Sequence, residues 1–152
     1  MKARIKNPAQ ILPEALQAIL AVWDAVEKSG VPHSILHLVH QRVSQINGCA
    51  VCLDGGWRKA KKDGESDERL FAVAAWQDAP YFSDAERAAL QLAEHVTRMA
   101  DKADPVPDAV WSEATKYFEE RQLAGLVLGI ATVNVFNRSN VATRQVAGAW
   151  KP

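Results

Sequence analysis

Two cysteines are all that this 152-residue chain contains, and both lie in Cys49-Ala50-Val51-Cys52. That leaves no disulfide framework and makes the pair a candidate redox dithiol or metal site rather than a staple. An excess of charge of one sign is also missing. The 18 basic residues balance 18 acidic ones with no run of like charge, so neither nucleic acid nor an anionic membrane surface is an expected partner. Long apolar runs are absent too. The longest, residues 123–136, is about 14 residues with Thr132 and Asn134 inside it, short of the roughly 20 needed to span a bilayer. The basic start, Met1 to Asn7, precedes a stretch broken by Pro13, Glu14 and Asp24 with no small-residue cleavage site. No signal peptide is expected, and the expected location is cytoplasmic. There is no internal repeat, low-complexity tract or long linker, and 48% apolar residues suffice for a real core, so residues 1–152 read as one domain.

What is present is helical throughout. The seven prolines fall between or at the edges of apolar-periodic segments, where a first helical turn tolerates them. Leu16, Ile19, Leu20, Trp23 and Val26 form a stripe at helical spacing, closed by Ser29-Gly30; Pro32 opens the next, with Ile35, Val39, Val43 and Ile46 on one face. Asn47-Gly48 separates it from a CxxC helix running to about Asp63-Gly64. Ser66 caps a short segment carrying Leu70, Phe71, Val73, Ala74 and Trp76, and Ser83 through Glu86 is a capping box. Pro107 opens a helix with Val110, Trp111, Ala114 and Phe118, and a last helix covers roughly residues 122–147. It is apolar nearly all round, with Gly125 and Gly129 one turn apart, so it is either central or an oligomer interface. The fold class is all-α.

The cysteines and histidines carry the chemistry. At a helix start, two cysteines three positions apart sit one turn from each other, able to form a disulfide or share a metal. The free N–H groups and dipole of that turn favour a thiolate, most strongly at Cys49. His33, His37 and His40 recur on one face of the preceding helix. That face points away from the apolar stripe, which makes it a solvated or interface face unless it turns toward the dithiol. Turned that way, a histidine could serve a thiol as base, or two histidines and both thiolates could surround a metal. His95 stands alone on a later helix.

Arg42 through Cys52, reading RVSQINGCAVC, together with Ala74-Ala75-Trp76, Phe82-Ser83 through Ala88-Ala89-Leu90, residues 130–134 and Asn137-Arg138, resemble the alkylhydroperoxidase D (AhpD)-like branch of the carboxymuconolactone decarboxylase family over roughly residues 5–148. The resemblance implies an all-helical fold that assembles as a homo-oligomer of trimers or trimer pairs, and a thiol-dependent peroxidase. Cys52 would attack a small peroxide and become a sulfenic acid, Cys49 would resolve it to a disulfide, and a dithiol protein or small thiol would reduce that disulfide. No cofactor and no resident metal is implied. The family's decarboxylases lack the CxxC, so lactone decarboxylation is not expected.

The chain departs from that pattern at the proton relay. The founding peroxidases carry a glutamate 12 residues before the first cysteine and a histidine four after the second; these positions hold His37 and Gly56, and Val51 stands where a histidine sometimes separates the cysteines. General-base help is worth about 10²–10⁴-fold in rate, so turnover is expected to be slow unless His37 replaces the base. The alternative is a redox or metal sensor that keeps the fold and dithiol without turnover.

Overall fold

The structure, a computed structural model, describes residues 2–149. Eight α-helices follow one another: α1 (Pro8–Ile11), α2 (Pro13–Glu27), α3 (His33–Asn47), α4 (Ala50–Lys62), α5 (Asp67–Ala72), α6 (Asp84–Thr97), α7 (Asp108–Thr115) and α8 (Glu120–Thr143), with a 3-10 turn, Val73–Ala75, between α5 and α6. No strand occurs among the described residues. The expected helices form close to their expected limits because their end signals do local work. Ser83 Oγ accepts from the Glu86 amide while the Glu86 carboxylate accepts from the Ser83 amide. Ser66 caps α5, and Glu119 with Gln122 closes a second capping box at the start of α8, each satisfying otherwise orphaned N–H groups.

α3 is the hub, packed against α4, α6 and α8. Its buried residues include Ile35, Leu36, His37, Leu38, Val39, Gln41, Val43 and Ser44, which surround the helix rather than line one stripe. The main core joins Val26, Leu36, Val39, Val43, Leu92, Leu126, Ile130 and Val133; a second cluster gathers Leu38, Val73, Trp76, Phe82 and Leu90 on the α6 side. This corrects the expectation of a solvated histidine face. With neighbours on several sides, α3 has no broad wet face, and His37 is buried.

α2 and α8 answer the question of apolar excess. The apolar stripe of α2 turns inward part-way: Val26 is buried, Leu16 and Ile19 are half-buried, Trp23 packs against the core from a half-buried position, and Leu20 is exposed, as is Val22 off the stripe. In α8 the buried face runs through Leu123, Gly125, Leu126, Gly129, Ile130 and Val133. The two glycines admit this chain's own neighbours. A Cβ on Gly125 would lie 2.1 Å from Ser29 Oγ, and one on Gly129 3.3 Å from Val26 Cγ1. α8 is therefore central, and its outer side still exposes Leu128, Val135 and Val141.

Candidate active site at the start of α4

The turn between α3 and α4 is built by its sequence. Gly48 adopts a left-handed conformation (φ 65°), the usual way to end a helix, and the Cys49 amide returns to the Ser44 carbonyl at 3.0 Å. Asn47 Nδ2 donates to Asn134 Oδ1 and Asn137 Oδ1, each at 2.9 Å, and Asn137 Nδ2 donates to Ser44 Oγ at 3.2 Å. These bonds anchor the turn to α8 through polar side chains that would be costly to bury unpaired.

Cys49 is the N-cap of α4, its Sγ accepting from the Cys52 amide at 3.3 Å. Cys49 and Cys52 are joined as a disulfide, with Cα atoms 5.3 Å apart. Cys49 is 1% exposed and Cys52 7%, so both are buried and Cys52 is the more exposed residue of the two. Its Sγ accepts from Asn140 Nδ2 at 3.4 Å. Leu53, next in the chain, lines an open, apolar groove of about 670 Å³ with Trp57, Leu70 and Phe71.

The histidines lie on the side of α3 that meets α4, and they meet it at different heights. Gln41 Nε2 donates to the Leu53 carbonyl at 3.4 Å, His40 lies against Gly56, and His37 Nε2 is 2.8 Å from Asp63 Oδ2 at the far end of α4. Asp63 is 11 residues beyond Cys52, about 16 Å along a helix axis. The structure thus brings Cys49 and Cys52 together but holds His37 away from both sulfurs, against an aspartate. His33 is exposed, on the rim of a small cleft that also includes His37 and Asp63. Among the described residues no three His, Cys, Asp or Glu side chains are arranged to hold a metal, so the arrangement of two histidines and two thiolates is not formed. His95 Nδ1 lies 2.9 Å from the Pro105 carbonyl oxygen, well separated in sequence from the dithiol.

His40 takes the place that sequence reasoning gave to other residues. A Cβ built on Gly56 would stand 2.4 Å from its Nδ1, so the imidazole fills the volume a side chain at 56 would need. Positions one turn apart on a helix have Cβ atoms about 5–6 Å apart, which puts the ring beside the face that carries Cys52. Nδ1 is buried without a hydrogen-bond partner. Burial, then the charges of His37 and Lys59, push the His40 pKa down from 6.5 to about 4, so the ring is neutral near pH 7. Sequence reasoning gave the asparagines no role at the site. Asn134, Asn137 and Asn140 recur every three residues on α8 and all are buried; polar side chains at helical spacing in an apolar helix were the available signal.

Residues 13–95 match the carboxymuconolactone decarboxylase family. The chain belongs to that family. It is 34% identical over 133 residues to the uncharacterised protein YdfG of Bacillus subtilis (strain 168), covering 88% of this chain and 89% of YdfG. It is 31% identical over 128 residues to the uncharacterised protein YnjA of Escherichia coli (strain K12), covering 84% and 68%. A solved structure from Agrobacterium tumefaciens, described as a protein of unknown function and a candidate antioxidant defence protein AhpD, superposes with a TM-score of 0.89 at 31% identity over 98% of this chain and all of that one. The debrominase Bmp8 shares the fold alone, with a TM-score of 0.80 at 19% identity over 92% of this chain and 74% of Bmp8. Within the carboxymuconolactone decarboxylase family the chain is AhpD-like, with an all-helical domain and a CxxC pair at disulfide distance. No helix among the described residues is long and apolar enough to cross a membrane.

Proposed function

We propose that this family member is a thiol-dependent peroxidase that cycles Cys49 and Cys52 between dithiol and disulfide. The observation that carries the reading is the pair itself, held at a helix start with a hydrogen-bond donor on each sulfur: the Cys52 amide on Cys49 and the Asn140 carboxamide on Cys52. In the cycle, the Cys52 thiolate attacks the outer oxygen of a peroxide. The O–O bond breaks, an alcohol or water leaves with a proton, and sulfur is oxidised to sulfenic acid. The Cys49 thiolate then attacks that sulfur, forming the S–S bond and releasing hydroxide, which is protonated to water. A dithiol donor reduces the disulfide by exchange and is itself oxidised to a disulfide. The greater exposure of Cys52 supports its role as the attacking sulfur and Cys49 as the resolving one.

His37 stands beyond His40 along α4, engaged with Asp63, so we assign it no direct proton transfer to a sulfur. The thiolate then depends on hydrogen-bond donors rather than a base in contact, which fits a modest rate. We place the cycle in the cytoplasm, where dithiol reductants are at hand, and in a homo-oligomer, trimer-based. The exposed Leu20 and Val22 of α2 and Leu128 and Val135 of α8 give two mutually packed helices apolar outer sides that a partner would cover.

The test is peroxide-dependent oxidation of a small dithiol by wild type, Cys52→Ser and Cys49→Ser. Turnover in wild type, lost in both variants, is expected. A wild-type rate no higher than that of Cys52→Ser would remove the peroxidase reading in favour of a redox sensor.

A further inference from the structure

Three hydrogen bonds in series connect the start of the chain to the dithiol. The Ala9 amide donates to Asn7 Oδ1 at 2.9 Å, capping α1. Asn7 Nδ2 donates to Asn140 Oδ1 at 3.1 Å, and Asn140 Nδ2 donates to Cys52 Sγ at 3.4 Å. Each link dictates the next. A peptide N–H only donates, so Asn7 must turn its oxygen to Ala9 and its NH2 to Asn140. That NH2 needs an acceptor, so Asn140 must present oxygen to Asn7 and NH2 to the sulfur. The orientation of a buried carboxamide at a reactive sulfur is thereby fixed by a backbone group 131 positions away in sequence (140 − 9).

We propose that Asn140 is a catalytic residue, the donor that stabilises the Cys52 thiolate, and that Asn7 is the positioning residue that aims it. Ionisation of Cys52 sends the S–H proton to solvent and leaves a sulfur anion. An N–H on that anion is a charge-assisted bond, stronger than the same contact to a neutral thiol, so it favours the charged form. This supplies what the helix start does not. The amide of the first turn is spent on Cys49, and without Asn140 the first cysteine alone would be favoured as thiolate. The charged or titratable groups of the packed elements are otherwise engaged or set back. On α4, Asp54 pairs with Arg58 and accepts from the Gly148 amide. On α3, His40 lies over Gly56, one turn along. On α8, Arg138 binds Asn134 Oδ1, and Arg4 of the N-terminal segment binds the Ala142 carbonyl.

The proposal rests on the peroxidase reading only for what the thiolate does next; its acidity can be measured without peroxide. In reduced full-length protein carrying Cys49→Ser, the pH dependence of Cys52 alkylation by iodoacetamide, followed by mass, gives the thiol pKa. Asn140→Ala is expected to raise it by about one unit, so that alkylation near neutrality slows about tenfold. Asn7→Asp still accepts the Ala9 amide but offers Asn140 a carboxylate, which draws the Asn140 NH2 away and turns its oxygen to sulfur; the pKa should rise at least as far. Asn7→Asp adds a charge as well, and a double variant separates the two effects. If Asn7 works through Asn140, adding Asn7→Asp to Asn140→Ala moves the pKa only by what the added charge contributes, less than Asn7→Asp does alone; fully additive shifts would remove Asn7 from the proposal. Should Asn140→Ala fail to fold, Asn7→Ala, which removes the partner that aims Asn140 without adding a charge, carries the test against the Cys49→Ser parent. An unmoved alkylation profile overturns the role of Asn140 whether or not the protein turns over peroxide. A shifted profile in a protein without turnover keeps Asn140 and removes the peroxidase.

Discussion

Replacing His40 should flatten the acid sensitivity of this fold, and the size of the effect follows from where the ring sits. With Nδ1 buried and unpartnered, beside His37 and within the field of Lys59, it has its pKa pushed from 6.5 to about 4, burial being the main cause. The unfolded chain therefore takes up a proton at His40 over a window in which the folded chain refuses it. Stability is complete above about pH 6.5, declines as the pH falls, and levels off near pH 4. Between pH 7 and pH 5 the loss from this one group comes to about 2 kcal/mol. Glu27, Glu86 and Glu94 are held below 4.5 in the fold, so the loss of their ion pairs falls at lower pH and leaves the window to His40. Urea unfolding followed by circular dichroism at pH 7 and pH 5 measures it. With a urea slope of about 2 kcal/mol/M, the wild-type midpoint should drop by about 1 M more than that of His40→Gln. Equal drops in the two proteins would refute the reasoning, as would a His40 ring that titrates near 6.5 in the NMR spectrum of the folded wild type.

Gly56→Ala places a methyl group where His40 Nδ1 now lies, 2.4 Å away. It should lower stability by about 1–3 kcal/mol in thermal or urea unfolding, or drive the ring outward and raise its pKa. Restoring a relay with His37→Glu and Gly56→His should therefore need His40→Ala as well, and peroxide turnover of the triple variant should exceed that of the double. Glu94→Ala strands Arg42, whose guanidinium lies 2.6 Å from Glu94 Oε1, and Trp76 Nε1, now 2.8 Å from the same oxygen. A loss of about 2–3 kcal/mol in urea unfolding is expected, because Trp76 Nε1 loses its acceptor and the partly buried Arg42 charge keeps only the neutral Gln45 side chain and Ala74 carbonyl. Leu20→Glu combined with Leu128→Glu puts charge on the outer sides of α2 and α8 and should leave monomer in sedimentation; wild type that is itself monomeric would refute the assembly reading.

The all-α class, most helix boundaries and the disulfide-distance pair were legible in the sequence because their causes are local. Proline and serine at helix starts, the capping box at Ser83 and glycine after Asn47 act within one turn. Two cysteines three positions apart at a helix start bring their sulfurs together whatever the rest of the chain does. The depth at which each side chain lies is set by neighbours from elsewhere in the chain, and only the tertiary structure decided it. Periodicity gave α3 one apolar face and α2 an apolar stripe; packing on several sides turned α3 into the hub and left most of the α2 stripe only half-buried. The same packing buried His37 against Asp63, laid His40 into the space left by Gly56, and brought Asn140 to Cys52 from 88 residues away. Spacing along one helix fixes which residues share a face. What that face meets depends on contacts between distant segments, and the donors and partners that tune a sulfur or an imidazole come from those contacts.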